Sequence, residues 1–341
     1  MSKFLCLGNH WKCGNEVADE VNICNAIEAE GHEVFRYNKF EVDKIWEDKP
    51  QVDVTLTWKG MEFNTEFLKK LRELNPGKPI YFIQHDNMEA HPNAKTREER
   101  SPVSLPTQHM QQAKECDAYF SKETGWRRDY EDAGVNFIYW PEDACPVFYK
   151  KADLTDPEEL HRCELLKLTE EVYPVVFSAT WTDLGMDRPK YIQPIADALP
   201  LTIFSMNWDA WVDHGFKAQA GMWDESYCLL IAKSKINLAI DWRHDIEGYW
   251  SDRIAQILGA GGFVLAKYTL GMERSFGPDK EHLVYWNDQA ECIEKANYYL
   301  EHEDERKQIA YRGHEYCLKY MKFDYRVKQF LTILKYHLEV I

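Results

Sequence analysis

The chain has 341 residues, 45% hydrophobic and 29% charged, more than one ordinary domain needs and enough to close two cores of about 150 residues each. That composition excludes a disordered chain. The formal charge of −16 excludes a protein that grips phosphate backbones or anionic membranes through a broad positive field.

The charge divides evenly, −8 on residues 1–145 and −8 on the remainder, so neither half is a basic domain. Local basic clusters occur at Lys69, Lys70 and Arg72, at Lys95, Arg97 and Arg100, and at Arg127 and Arg128. The nine cysteines are odd in number and contain no Cys-x-x-Cys pair, which argues against a zinc ribbon or a disulfide scaffold. Met1-Ser2-Lys3 runs straight into a short apolar segment, and no apolar run approaches the roughly 18 residues of a membrane span. A reduced, cytoplasmic setting is the expectation.

The first element is a strand at Phe4–Leu7, followed by a polar loop from Gly8 and a helix with Val17, Val21, Ile23, Cys24 and Ile27 at helical spacing, closed by Gly31. Strands then fall at Val34–Tyr37, Val52–Thr57, Ile80–Ile83, Ala118–Phe120 and Phe137–Trp140, and helices at Thr65–Leu74, Thr107–Glu115 and Trp126–Asp132. Pro141–Pro157 mixes proline with charge and reads as a linker. After a polar helix the alternation restarts. Strands are predicted at Val175–Phe177, Leu201–Phe204, Ile236–Ile240, Phe263–Leu265 and Leu283–Tyr285, and helices at Tyr191–Ala198, Tyr227–Ala232 and Ser251–Leu258. Three long helices close the chain at Gln289–Leu300, Asp304–Tyr320 and Phe323–Leu338. Strands alternating with helices at this spacing predict an α/β protein with two Rossmann-like, doubly wound domains, which bind ligands at the carboxyl ends of their strands.

The most informative segment runs from Glu247 to Leu265: a loop (Glu247-Gly248-Tyr249-Trp250-Ser251), a helix carrying Arg253 and Gln256, and a glycine turn into Phe263. Helix N-terminal amides with an arginine one turn inside are what a diphosphate would use, although a glycine turn alone is more often a packing feature. His85 and Asp86 stand just past a strand's carboxyl end, and Gly8–Glu16 forms a glycine-flanked aromatic loop. No Asp-x-Asp triplet occurs. Asp241–Asp245 reads as a polar loop rather than a metal cluster. Trp208 and Trp211 read either as core residues or as a surface on which a nucleobase could stack.

Several motifs together resemble the C-terminal domain of group-1 glycosyltransferases, in the branch of spore-maturation glycosyltransferase-like proteins. They are Ser234-Lys235-Ile236, Arg253 and Gln256 on one helix, the turn into Phe263, Gly271-Met272-Glu273-Arg274-Ser275-Phe276, and Tyr298-Tyr299 with Glu305-Arg306. The resemblance spans roughly residues 175 to 335. It implies a GT-B fold: an N-terminal acceptor domain at 1–145, a C-terminal donor domain at 146–322, a helix at 323–341 crossing back to the first domain, and a central crevice between the two domains.

It also implies a nucleotide-sugar co-substrate, a UDP-sugar first, with no tightly bound cofactor and no metal. Arg253, His85 and Asp86 take the positions of catalytic groups. Thr180, Arg188, Glu247, Gly248, Tyr249, Trp250, Ser251, Gln256, Gly271, Met272 and Glu273 take donor-binding positions, and His10, Trp11, Lys12 and Gly14 line the acceptor side. Gln256 departs from the family's usual glutamate, and Glu247 lies nine residues before it where the family's gap is eight. The implied chemistry is transfer of a sugar to an acceptor hydroxyl with retention. The acceptor is a small molecule, glycan or protein, or alternatively a hydroxymethylated base in duplex DNA, which such enzymes flip out. A non-catalytic nucleotide-sugar-binding module is the remaining alternative.

Overall fold

The computed structural model describes residues 1–8, 19–38, 41–58, 65–84, 107–122, 124–141, 144, 146–168, 170, 172–181, 188–241, 244, 246–336 and 338–339. These residues form two compact units, one of 1–146 with 322–341 and the other of 147–321.

In the first unit β1 (Lys3–Gly8), α1 (Asp19–Ala29), β2 (Glu33–Asn38), α2 (Lys44–Asp48), β3 (Val54–Trp58), α3 (Thr65–Leu74), β4 (Ile80–Gln84), α4 (Thr107–Glu115), β5 (Ala118–Ser121), α5 (Arg127–Asp132) and β6 (Phe137–Tyr139) follow in order. The six strands are parallel and pair in the order β2-β1-β3-β4-β5-β6. Parallel strands need crossover connections, and the helices supply them, covering both faces of the sheet. One face buries Phe4, Cys6, Val54, Leu56 and Ile83 with Ile23 and Ile27 of α1, and the other buries Leu5, Leu7 and Ile80 with Leu68 and Leu71 of α3. Burial on both faces explains why these strands read as continuous apolar runs rather than alternating ones.

The second unit begins with a 3-10 turn at Pro146–Phe148, followed by α6 (Pro157–Leu165), β7 (Tyr173–Ser178), α7 (Arg188–Ala198), β8 (Leu201–Ser205), α8 (Trp208–Asp213), β9 (Ala218–Ala220), α9 (Asp224–Ala232), β10 (Ser234–Ala239), α10 (Asp252–Gly259), β11 (Val264–Lys267), α11 (Glu273–Phe276), β12 (Val284–Trp286), α12 (Gln289–Glu301) and α13 (Glu303–Tyr320). Its parallel sheet has the order β12-β11-β10-β7-β8-β9. From β7 the chain winds outward to β8 and β9, then returns to β10 on the other side of β7 and winds out through β11 and β12. The reversal falls between β7 and β10, the position at which open parallel sheets bind ligands.

α14 (Phe323–Tyr336) belongs to the first unit, where Phe323, Val327, Phe330 and Leu334 join the core beneath β1, β3, β4 and β5. Trp140 fixes it further by donating its indole N–H to the carbonyl of Arg326 at 3.4 Å.

Four elements were not expected from the sequence: α2, α8, β9 and α11. Each has six residues or fewer, too short to establish a period, and β9 is an edge strand with a single neighbour. No helix among the described residues is long and apolar enough to cross a membrane.

Candidate anion cradle at the switch point of the second sheet

β7 and β10 lie side by side, with Phe177 opposite Leu238 in the register. Both strands are apolar and central, so their backbones are satisfied within the sheet until they leave it. At the exit of β7 two carbonyls turn outward, and each accepts from an arginine. Arg253 Nε donates to Ser178 O at 2.8 Å, and Arg188 Nη1 donates to Thr180 O at 2.8 Å. Arg188 is the first residue of α7 and Arg253 the second of α10, so both guanidiniums sit at helix N-termini. They share the Phe177 ring, 6.0 Å and 5.7 Å from its centroid, an arrangement that cation–π attraction supports.

Among the described residues one carboxylate lies against these charges, paired with Arg253 and acting on Arg188 through its field. Asp241, just past β10 and 3% exposed, accepts from Arg253 Nη1 at 3.1 Å, from Ser251 N at 3.1 Å and from the Ser251 hydroxyl. The Ser251 hydroxyl is therefore turned away from α10, and this N-cap makes no side-chain bond to the helix it precedes. The N-cap side chain therefore satisfies none of the first amides of α10. Arg188 is 4% exposed, and its Nε is buried with no partner among the described residues. Burial, then the neighbouring charge of Arg253, pulls its pKa down to about 10. Among the described residues, two guanidiniums set against the Asp241 carboxylate, a donor without an acceptor and a helix end with no side-chain cap together make a cradle for an anion with several oxygens.

The loops beside the cradle are held together by glycine geometry. Gly248 (φ +78°) donates its N–H to Leu270 O at 2.7 Å, and Gly271 (φ +91°) comes so close that a Cβ there would lie 3.3 Å from Gly248 N. Only glycine tolerates that conformation and that contact. Glu247 and Arg274 form an ion pair across the same two loops. Trp250 anchors the first loop from below, fully buried against Phe276 and donating to Ser275 Oγ at 3.2 Å.

The residues singled out from the sequence therefore have different fates. Arg188, Arg253, Ser251 and the Thr180 carbonyl meet in one place. Tyr249, Trp250 and Met272 are buried and pack the loops rather than presenting their side chains. Gln256 donates to Asp252 Oδ2 at 2.7 Å along the outside of α10. Glu273 accepts from the Tyr268 hydroxyl at 2.9 Å, and its own backbone N–H, aided by that hydroxyl, holds its carboxylate below the usual range. His10, Trp11, Lys12, Gly14, His85 and Asp86 lie outside the described residues.

Trp211 is core, not a stacking surface. It is fully buried against Phe177, Trp181 and Phe216, and its N–H reaches Ser205 Oγ at 3.2 Å. The exposed aromatics on this rim are Trp208, beyond β8, and Trp223, beyond β9, 43% and 54% exposed. Sequence reasoning missed Trp223 because β9, which carries it to the rim, was itself missed. It also missed Asp241, whose one readable signal is a carboxylate directly following a buried strand.

Two doubly wound parallel sheets, the second with an anion cradle at its switch point, define a GT-B type of fold. The fold matches Anabaena Alr3699/HepE in complex with UDP and glucose (TM-score 0.67, 11% identity, 98% of this chain and 100% of that one). It also matches sucrose-phosphate synthase from Thermosynechococcus elongatus (0.69, 10%, 100% and 100%) and a glycosyltransferase from Rickettsia africae (0.62, 12%, 99% and 99%). At these identities the likeness is one of fold. Residues 188–332 match the family model described as glycosyl transferase-like. No curated protein matches the chain in sequence.

Proposed function

We propose that the chain is a nucleotide-sugar-dependent glycosyltransferase that passes a sugar, with retention, from a UDP-sugar to an acceptor hydroxyl. The observation that carries this reading is the pair Arg188 and Arg253 converging on the exit of β7, with the buried Arg188 Nε lacking an acceptor among the described residues. HepE, with the same fold, was solved with UDP and with UDP-glucose, which favours a uridine diphosphate in that position. The enzyme's task in such a transfer is to stabilise the departing diphosphate and hold the acceptor, so two guanidiniums and the α10 amides serve where other enzymes use a divalent cation. With the diphosphate at β7, a nucleoside extending two strands along the rim, at roughly 4.8 Å per strand, reaches Trp208 and Trp223. His85 and Asp86 act on the sugar, and the loop holding His10, Trp11, Lys12 and Gly14 faces the acceptor. The motifs between Ser234 and Arg306 support placement in the spore-maturation-like branch.

For the acceptor we favour a small molecule, glycan or protein over modified DNA. Arg72, Arg127 and Arg128 each face a carboxylate, Asp117, Glu131 and Asp132 respectively, so these three charges are answered locally, while Lys95, Arg97 and Arg100 lie outside the described residues.

The test is turnover of a nucleotide-sugar panel by purified protein, with products and modified acceptors read by mass spectrometry. Arg253→Ala is expected to cut turnover about 10²–10³-fold. If no donor is consumed and Arg253→Ala does not alter UDP binding, the reading fails. UDP-sugar binding without turnover, unimproved in Gln256→Glu, would leave a binding module.

A further inference from the structure

A second cavity lies at the opposite end of the same sheet, where β10 and β11 begin rather than where they end. It is an open hollow of about 250 Å³. Its lining combines apolar Ile231, Ala232, Phe263 and Ala310 with Lys233, Lys235, Arg306 and Lys307 and a single carboxylate, Glu303. Four cations around one small hollow are conspicuous in a unit whose 29 Asp plus Glu outnumber its 19 Lys plus Arg.

These charges are only partly compensated. Glu303 is taken by Lys307 at 2.5 Å and lies 3.8 Å from Arg306. Lys233 donates to the Leu168 carbonyl at 2.9 Å. Arg306 is 5% exposed and fixed by donating Nη1 to the Tyr299 carbonyl at 2.6 Å, a neutral acceptor. Lys235 makes no ion pair among the described residues, although its charge is felt at Glu303. A buried guanidinium held by a carbonyl and a distant carboxylate, beside an unpaired ammonium and an apolar lining, has the composition of a small-ligand pocket. One anionic group would meet Arg306 and Lys235, and an apolar body would cover Phe263 and Ala310.

We propose that this cavity is a second ligand site, separate from the anion cradle at the other end of the sheet, and that it takes a small organic anion: one phosphate or carboxylate on an apolar body of about a dozen heavy atoms. The volume is slightly below the roughly 300 Å³ at which ordinary ligand pockets begin, a size that suits a small anion better than a nucleotide sugar. The shared chemistry is an anionic head on a hydrophobic body, and phosphate and carboxylate probes distinguish its two forms.

The test uses the full chain in low salt, titrated calorimetrically with phenyl phosphate, benzoate and inorganic phosphate, each with and without saturating UDP. Phenyl phosphate or benzoate should bind in the presence of UDP, and more tightly than inorganic phosphate. Lys235→Glu should weaken that binding about tenfold or more while leaving UDP affinity unchanged. Ala310→Phe, which fills the hollow without touching a charge, should abolish it. Thermal melts of both variants matching the parent protein certify folding. The proposal is overturned if UDP competes with the probe, if Lys235→Glu binds it as the parent does, if inorganic phosphate binds as well as phenyl phosphate, or if no probe binds at millimolar concentration.

Discussion

Asp241→Ala probes the cradle most directly. The substitution removes the only carboxylate in contact with Arg253 among the described residues and leaves the Ser251 amide and hydroxyl without their acceptor. Breaking a buried pair by deleting one partner costs about 3–5 kcal/mol. Asp241 is 3% exposed but Arg253 is 17% exposed, so water recovers part of the loss and about 2–4 kcal/mol remains. Asp241→Asn keeps an acceptor for Ser251 N and loses the charge, and should cost about half as much. The same change should make the cradle hungrier for anions, because the carboxylate no longer opposes them. At an effective dielectric of about 20 and a separation of roughly 6 Å, that opposition is worth about 2–3 kcal/mol. Urea titrations with and without pyrophosphate measure both effects. Pyrophosphate should stabilise Asp241→Ala more than the parent protein, and Arg253→Ala in the same background should remove the difference. A loss below about 1 kcal/mol, or equal stabilisation of parent and variant by pyrophosphate, would refute the view that Asp241 is the counter-ion of an anion site.

The tryptophans of the rim should separate cleanly: Trp211→Ala costs about 3–5 kcal/mol in urea denaturation, whereas Trp208→Ala and Trp223→Ala stay within about 0.5 kcal/mol and weaken UDP binding instead. Gly259→Ala brings a Cβ to 2.6 Å from the Phe148 carbonyl oxygen, backbone that cannot rotate away, and should cost about 1–3 kcal/mol in the same assay. Alkaline stability offers a check on burial. Burial holds Cys116, Cys228 and Cys292 near pKa 12 in the fold, against 9.0 for the free thiol. Above pH 9 the unfolded chain therefore binds fewer protons than the folded one, and stability falls as pH rises towards 12, by up to about 1.4 kcal/mol per pH unit for each thiol. A urea midpoint that stays flat from pH 9 to 11 would contradict this.

Much of the fold was legible because parallel strands buried on both faces announce themselves as short apolar runs. Phe4–Leu7, Ile80–Ile83 and Leu201–Phe204 needed no knowledge of their neighbours, and the helices Thr65–Leu74 and Thr107–Glu115 have the predicted ends. The candidate site was legible in its parts but not in its assembly. Arg188 and Arg253 could be singled out, yet nothing local says that two arginines 65 positions apart share one phenyl ring. Gln256 faces Asp252 along its own helix, and Tyr249, Trp250 and Met272 support the loops, because a motif states where a residue stands in the chain and not which way its side chain is turned.

Periodicity, apolar runs and turn chemistry act over a few residues, and so the sequence by itself determined an α/β chain with alternating strands and helices, an acidic character shared evenly by its halves, and the segments from which a donor site could be built. The tertiary structure decided what depends on distance across the sheet: the strand order that puts the switch point between β7 and β10, the Asp241 carboxylate set against two guanidiniums, and the burial of Trp211 while Trp223 stays in solvent. It also gathered four cations at the far end of a sheet in a strongly acidic unit. The physical reason is that charge compensation and desolvation are properties of space, and residues distant in sequence acquire them only when the fold brings them within a few ångströms.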